Sequence, residues 1–466
     1  MQIADRRPRW QDFRIWIGLF FLIRLIGITH PPLEAGHNWR QALTTMTARV
    51  MHEEGPDLFH PKVTYGGTGY QTIASEFPIF NYLMYLTAKP FGFDHWHGRL
   101  INLIISSLGL WFFFRLVREV FDEKMAFKAG VLLLFSIWFS FSRKIMPDTF
   151  SVSLVIMGMY AGWRWLQGDG WRNLLIYSVL LSLGLLSKIP ALTVLAAFGM
   201  TLFARDISWR KKGLLYTVSL VAVVLAGCWY GIWVPKLQAE GSVDLYFPRS
   251  FSDGLRELWE YRVKLADTLI FAPGQSYAAF ITVLAGAFLV IKKRNKRLLG
   301  IAAWMLTAFV VFMILAGSVF ALHNYYMIPI TPLFALLGAF ALHQLNPKYA
   351  YILLALICLE SLGNQSYDFQ VREKRMHPLE LEAILDTHVP KGTAIIINGG
   401  LSPQPIYFAH RSGWSVSPDA CLRIAKVEEL HDFGAQFLVI DRHRQKQIPD
   451  IGTRVYEGEH YILIKL

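Results

Sequence analysis

Four small groups of ionisable residues stand at the ends of apolar stretches, a position where charge is costly and tends to mark function. Arg143-Lys144 shortly precedes Pro147-Asp148, Lys188 lies in the turn Ser187-Lys188-Ile189-Pro190, and His323 opens His323-Asn324-Tyr325-Tyr326. Cations at such a boundary can hold an anion: arginine matches phosphate oxygens with a planar fork, and lysine acts as a point charge. A lipid-linked phosphate is the anion expected at that depth. Snorkelling towards lipid headgroups is the alternative reading for Arg143 or Lys144 taken singly. His323 alone reads equally well as a hydrogen-bonded interfacial histidine. The coincidence of all four on one predicted face weighs more than any single member.

Carboxylates come from the segment between the first two apolar stretches: Glu34, Glu53, Glu54, Asp57, Glu76 and Asp94. A reaction that deprotonates an acceptor hydroxyl needs a positioned base, usually Asp, Glu or His. Glu34 and Glu76 each adjoin an apolar element that can fix them, whereas Glu53 and Glu54 read as solvated charge at a helix end. His37 is a second base candidate or a positioner, and Trp39 reads as an interface anchor.

The elements that must hold these groups are mostly helices in a bilayer. The chain has 466 residues, of which 54% are hydrophobic and only 17% charged, against about 25% charged in soluble domains. A spanning helix needs roughly 20 mostly apolar residues, and eleven candidates follow: 15–30, 100–117, 125–141, 149–166, 171–187, 191–204, 213–234, 276–291, 298–320, 327–345 and 349–363. Basic residues crowd alternate connections: the N-terminal tail (Arg6, Arg7, Arg9, Arg14), Arg115 to Lys128, Arg164 and Arg172, Arg205 to Lys212, Lys292 to Arg297, and Lys348. By the positive-inside bias these are cytoplasmic. The opposite connections and the tail from about residue 364 are then periplasmic, and the net charge of +12 belongs to the cytoplasmic loops.

Two outer loops are long, 31–97 and 235–275, and long loops are usually functional or disordered. In 38–51 the residues Trp39, Ala42, Met46 and Val50 have helical spacing, and 78–89 is aromatic and apolar. Both could lie flat in the membrane interface or pack against the bundle. The tail reads as a small soluble α/β domain, with helices over 379–387 and 422–431 and strands over 393–397, 405–410, 436–440 and 461–465. Asn398-Gly399-Gly400 after a strand lacks the full glycine fingerprint of a nucleotide site. The expected division is therefore a membrane domain over 1–363 and a periplasmic domain over 364–466.

Three cysteines without CxxC spacing argue against a zinc site or a disulfide framework. No small-residue cleavage site follows the first apolar run, so it reads as a retained helix. No basic patch with interleaved aromatics lies outside the apolar segments, and a nucleic-acid partner is not expected.

These residues resemble a known family. Gly36-His37-Asn38-Trp39-Arg40-Gln41-Ala42 with Thr47-Ala48-Arg49 is similar to the first loop of a bacterial branch of the protein O-mannosyltransferase-like family, which includes the aminoarabinose transferases. Glu76-Phe77-Pro78 with Tyr82, Gly98-Arg99-Leu100, Met146-Pro147-Asp148, Ser187-Lys188-Ile189-Pro190 and His323-Asn324-Tyr325-Tyr326 continue the match over most of residues 10–345. The resemblance implies a GT-C-like polytopic fold. It also implies an inverting transfer of a sugar from a polyprenyl-phosphate donor to a lipid, glycan or protein acceptor at the periplasmic face of the inner membrane. A first-loop carboxylate serves as base and basic groups bind the donor phosphate. Carried onto this chain, the catalytic set is Glu34, His37 and Glu76, and the donor-phosphate set is Arg40, Arg143, Lys144, Asp148, Lys188, His323 and Tyr325. Relatives commonly place Asp-Glu where this chain has His37-Asn38, which makes Glu34 the first candidate for the base. No cofactor or metal is required, and a divalent ion bridging phosphate and carboxylate is compatible with the chemistry. Two other classes compete. A lipid or glycan flippase predicts midplane charges and broken helices in paired repeats, and a non-catalytic scaffold of an envelope polysaccharide complex predicts docking through the tail.

Overall fold

The structure is a computed structural model that describes residues 8–245 and 248–466. Arg6 and Arg7 of the basic N-terminal tail lie outside the described residues. The chain divides into two compact units. The first comprises Met1–Ile28, Arg99–Gly231 and Phe247–Tyr367, and the second comprises Thr29–Gly98, Ile232–Tyr246 and Asp368–Leu466.

Among its described residues the first unit contains helices and connecting turns but no strand, and every apolar segment expected to span is at least partly helical. Among the described residues, four helical stretches are long and apolar enough to cross a membrane: Trp96–Val120, Trp209–Ala239, Lys296–Ala316 and Asn324–His343. Apolar side chains such as Leu220, Ile281 and Phe288 are exposed, the surface that lipid needs. Close helix crossings use small residues, as membrane bundles do in the absence of a hydrophobic drive between helices. A Cβ on Gly286, in Tyr277–Lys292, would lie 1.9 Å from the Leu337 carbonyl oxygen of Thr331–His343. One on Gly184 would lie 2.8 Å from Val155 Cγ2.

Several expected single helices are interrupted. The 125–141 segment is Glu123–Phe135 followed by the short helix Trp138–Phe141, broken at Ser136. Gln365 repairs the break: its Nε2 donates to Phe135 O (3.1 Å) and Ser136 O (3.3 Å), and its Oε1 accepts from Ser140 N (3.1 Å). The 191–204 segment is a short helix, Leu192–Leu195, continuing as a 3₁₀ helix over Ala196–Phe203. There the Phe198 carbonyl accepts Thr201 Oγ1 (2.8 Å) and Tyr216 Oη (2.9 Å). In 327–345 the α-helix begins only at Thr331, after a 3₁₀ stretch over Asn324–Ile330 that contains Pro329.

The second unit joins both long loops to the C-terminal segment. Its strands are β1 (Lys62–Val63), β2 (Gln71–Ala74), β3 (Val243–Asp244), β4 (Ala394–Ile397), β5 (Gly413–Ser415), β6 (Ala435–Asp441), β7 (Thr453–Glu457) and β8 (Tyr461–Lys465). The first three form a small sheet that ties one long loop to the other, β1 antiparallel and β3 parallel to β2. The other five form a sheet of order β5-β4-β6-β8-β7, with β5, β4 and β6 parallel and β8 and β7 antiparallel. One apolar cluster holds Leu33, Leu43, Met46 and Ile73 of the first loop together with Leu385, Ile397, Phe437 and Leu463 of the tail.

One open alternative is decided and one expectation needs correction here. The helix over 38–51 exists as Asn38–Glu54, and of its two readings burial favours packing over lying flat on an interface, because Arg40 through Met51 are all buried. Its polar positions survive burial through local bonds, such as Thr44 Oγ1 to Arg40 O and Thr45 Oγ1 to Gln41 O. The second aromatic stretch forms Ile79–Phe91 and packs on it, with Asn81 Nδ2 donating to Thr44 O at 2.7 Å. The tail segment 405–410 is a helix, Gln404–Ala409, not a strand. Pro405 sits in its first turn, where proline is pre-organised for a helix, and a short apolar run does not separate helix from strand. Strands β5 and β7 were not anticipated: one has three residues, and the other is an exposed edge.

Candidate functional site

In the first unit the structure gathers three of the sequence groups into contact. Asp148 stands in the first turn of Pro147–Gln167 and is 5% exposed. Lys188 caps Trp171–Ser187, and its Nζ lies 2.9 Å from Asp148 Oδ1. The same ammonium sits 4.9 Å from the Tyr325 ring centroid and 5.9 Å from that of Tyr326. Cation–π attraction thus adds to the ion pair. The His323 ring lies 5.4 Å from Tyr325, and its Nδ1 is 2.9 Å from Val319 O. The Lys188 turn is tied to the helix bearing Asp148 by Ser151, whose Oγ donates to Gly184 O (2.7 Å) and Lys188 O (3.1 Å).

Arg143 and Lys144 are each 1% exposed, so neither side chain snorkels to solvent in this unit. Arg143 Nη1 donates to Ile26 O. Lys144 Nζ lies 5.5 Å from the Phe141 ring centroid. The turn that carries them is shaped by a residue that sequence reasoning missed. Asn102, fully buried in Trp96–Val120, reaches Phe141 O (2.9 Å), Lys144 O (2.8 Å) and Met146 O (3.3 Å) through Nδ2. Its Oδ1 accepts from Thr149 Oγ1 (3.0 Å) and Ser106 Oγ (3.1 Å). A single carboxamide therefore fixes the backbone from Phe141 to Thr149. An asparagine within an apolar helix was the available signal, since polar groups at membrane depth are costly.

The remaining candidates belong to the second unit. Glu34 is 1% exposed, in the turns before Asn38–Glu54. His37 caps that helix in the left-handed conformation (φ 57°, ψ 29°), and its carbonyl accepts the Arg40 and Gln41 amides at 3.1 Å. Histidine is among the few non-glycine residues that tolerate this conformation. Arg40 and Glu76, assigned separately to phosphate binding and to base chemistry, form an ion pair with each other, Arg40 Nη2 to Glu76 Oε1.

A further network in this unit surrounds His410. Its Nδ1 lies 2.6 Å from Glu382 Oε1 and its Nε2 2.8 Å from Glu53 Oε1. The Glu53 hydrogen bond, with help from Glu382, holds the imidazole above its ordinary range against burial and the Arg49 charge. Glu53 is pushed up by burial, but His410 and Arg49 outweigh this and leave it below its ordinary range. Glu53 is thus a paired group rather than solvated charge at a helix end. Arg49 also stacks 4.4 Å from the centroid of the buried Tyr407 ring. Among the described residues no group of three or more His, Cys, Asp or Glu side chains is arranged to hold a metal.

Residues 75–231 match the family model described as dolichyl-phosphate-mannose-protein mannosyltransferase. No curated protein matches the sequence. Among solved structures, ArnT from Cupriavidus metallidurans in the apo state shares the fold with a TM-score of 0.61 at 12% identity, covering 97% of this chain and 98% of that one. The same protein bound to undecaprenyl phosphate gives 0.60 at 12% identity, covering 96% and 97%. The archaeal oligosaccharyltransferase AglB from Archaeoglobus fulgidus, in complex with an inhibitory peptide and a dolichol-phosphate, gives 0.53 at 12% identity, covering 92% of this chain and 70% of that one. The likeness over nearly the whole chain shows the fold: the chain has the polytopic GT-C-like architecture of these structures, and the family-model match falls within it.

Proposed function

We propose that the chain moves a sugar from a polyprenyl-phosphate donor to an acceptor hydroxyl with inversion, at the periplasmic face of the inner membrane. The observation that carries the reading is Lys188, held at once by Asp148 and by the Tyr325 ring. Arg143 and Lys144 ride on the turn that leads into the helix bearing Asp148, a turn stapled by Asn102. Buried cations on rigid backbone suit a phosphate whose negative charge grows as it departs, because donors fixed in advance need no reorganisation in the transition state. ArnT is solved with undecaprenyl phosphate and AglB with a dolichol-phosphate, which supports a polyprenyl phosphate as the donor carrier here.

In the reaction the acceptor oxygen attacks the anomeric carbon and the bond from that carbon to the phosphate oxygen breaks. Polyprenyl phosphate leaves with the electron pair, and the acceptor proton passes to a carboxylate. Glu34 is our choice for that base, with His37 orienting the acceptor. Glu76 holds Arg40 by charge and acts as a positioning residue. Asp148 orients the Lys188 ammonium, and a divalent ion bridging phosphate and carboxylate is compatible with this mechanism without being required by it.

The test is a membrane assay with labelled polyprenyl-phosphate sugars. Glu34→Gln should lower transfer by about 10²-fold or more, the scale of general-base catalysis. Glu76→Gln should act mainly on KM. Transfer undiminished in Glu34→Gln would refute the base. A cysteine placed at the part-exposed Ser242 tests the topology; labelling only from the cytoplasmic side would overturn a periplasmic second unit.

A further inference from the structure

The second unit contains a polar cavity of about 160 Å³ at the carboxyl ends of the parallel strands. The strand order reverses at β4: the chain leaves it for β5 on one side and returns to β6 on the other. Crevices at such reversals, outside the carboxyl ends of strands, are where open α/β sheets bind ligands. Asp441, at the end of β6, is fixed there. Asn398, at the end of β4, donates through Nδ2 to Asp441 O (3.1 Å) and accepts the Asp441 amide through Oδ1 (2.7 Å).

The cavity wall is cationic. Asp441 Oδ2 lies 3.3 Å from both His377 Nε2 and Arg444 Nε, and Asp441 Oδ1 accepts the His443 amide at 2.9 Å. Burial raises the Asp441 carboxyl, yet His377, the amide and Arg444 outweigh it and keep the group below its ordinary range, as the anion. Arg444 Nη1 donates to Gly399 O at 3.0 Å. Among the described residues, Arg444 Nη2 and the whole Arg375 guanidinium have no hydrogen-bond partner. Counting only the two guanidiniums and the carboxylate, one positive charge is in excess, with the His377 imidazole beside them. That matches a monoanion, whereas a phosphate monoester carries about −1.5 to −2 at neutral pH. The volume is roughly five water volumes, enough for the polar edge of one sugar ring. Leu33 and Asn38 also line the cavity, and they are the chain neighbours of Glu34 and His37.

We propose that this cavity is a recognition subsite for a carboxylate-bearing sugar of the acceptor, with Arg375 and Arg444 taking the carboxylate and Asn38 and Gln404 the ring hydroxyls. Its role towards an acceptor rests on the transferase reading above. Binding of the sugar does not, because it can be measured without donor or turnover.

The experiment is isothermal titration of the purified full-length protein in detergent with methyl glucuronide, methyl glucoside and glucose 1-phosphate. Methyl glucuronide should bind saturably and at least tenfold more tightly than either other probe. The Arg375→Gln/Arg444→Gln variant should lose at least tenfold of that affinity, while Lys188→Gln keeps it. Arg444 also supports the Gly399 carbonyl, so Arg375→Gln alone serves as the second variant and should lose at least threefold. The proposal is overturned by absence of glucuronide binding, by tighter binding of glucose 1-phosphate, by undiminished binding in Arg375→Gln, or by loss in Lys188→Gln, which would move the site to the phosphate-binding cations.

Discussion

Replacing Asn102 with alanine should loosen one turn and little else. The carboxamide nitrogen has two hydrogens and three carbonyls within 2.8–3.3 Å, so two full hydrogen bonds at most are shared among Phe141 O, Lys144 O and Met146 O. Hydrogen bonds between membrane helices average about 0.6 kcal/mol each, and a buried carbonyl left without a partner costs about 1–3 kcal/mol. A loss of about 2 kcal/mol follows for the segment from Phe141 to Thr149, equivalent to roughly 30-fold in its local opening equilibrium. Hydrogen exchange measured by mass spectrometry on the purified protein reads this directly. Amides of 141–149 should exchange about 30-fold faster, while those of 171–187, which Asn102 does not touch, keep their rates. The donor KM should rise, because Arg143, Lys144 and Asp148 ride on that turn. A change of less than about threefold in 141–149, or an equal rise in both peptides, would refute the stapling role.

Three other outcomes are expected. Asp148→Asn strands the Lys188 ammonium, and breaking a buried pair by removing one partner costs about 3 kcal/mol or more; the double variant Asp148→Leu/Lys188→Met should recover part of the loss, and a coupling below about 0.5 kcal/mol in a double-mutant cycle would show that the pair contributes nothing. Gly286→Ala should cost about 1–3 kcal/mol, because its Cβ meets Leu337 O at 1.9 Å, while Gly213→Ala, with nothing within 4 Å, should be neutral in the same unfolding measurement. The His410 network predicts a pH window. The raised imidazole contributes fully below its ordinary value of 6.5 and loses that contribution as pH rises through its folded value. The lowered Glu53 contributes above 4.5 and loses that as pH falls through its folded value. Thermal unfolding from pH 6 to 9 should therefore fall more steeply in the wild type than in His410→Gln, and equal slopes would remove the network from the stability of this unit.

Much of the helical layout was legible because a bilayer leaves a blunt signal: long apolar runs with charge between them. The breaks were not, because Ser136 is an ordinary residue until Gln365 arrives from far along the chain to satisfy its neighbours. Lys188 and Asp148 could each be flagged from their depth, but their pairing depends on how two helices cross at Gly184. Arg40 and Glu76 were read in separate roles because 36 residues part them in sequence. The burial of the Asn38–Glu54 helix is not decided by the sequence for a related reason. Its threonines look solvated in sequence, yet they bond back to their own turns. In the tail, the alternating apolar strands β4, β6 and β8 were readable, whereas the three-residue β5 carries no periodicity at all.

The interrupted helix near Ser136 also constrains how the chain is made. The carbonyls of Phe135 and Ser136 find their side-chain donor in Gln365, 230 residues after Phe135. At about 5–20 residues per second, ribosomes need roughly 10–50 s to cover that distance. During that interval the nascent Glu123–Phe135 and Trp138–Phe141 helices sit in the membrane without the partner that closes the gap between them. The last helix of the first unit, Pro347–Gln365, is thus the latch of membrane assembly. A chain truncated before it would carry all the residues of the cation cluster and still present a half-finished bundle to the cell's quality control.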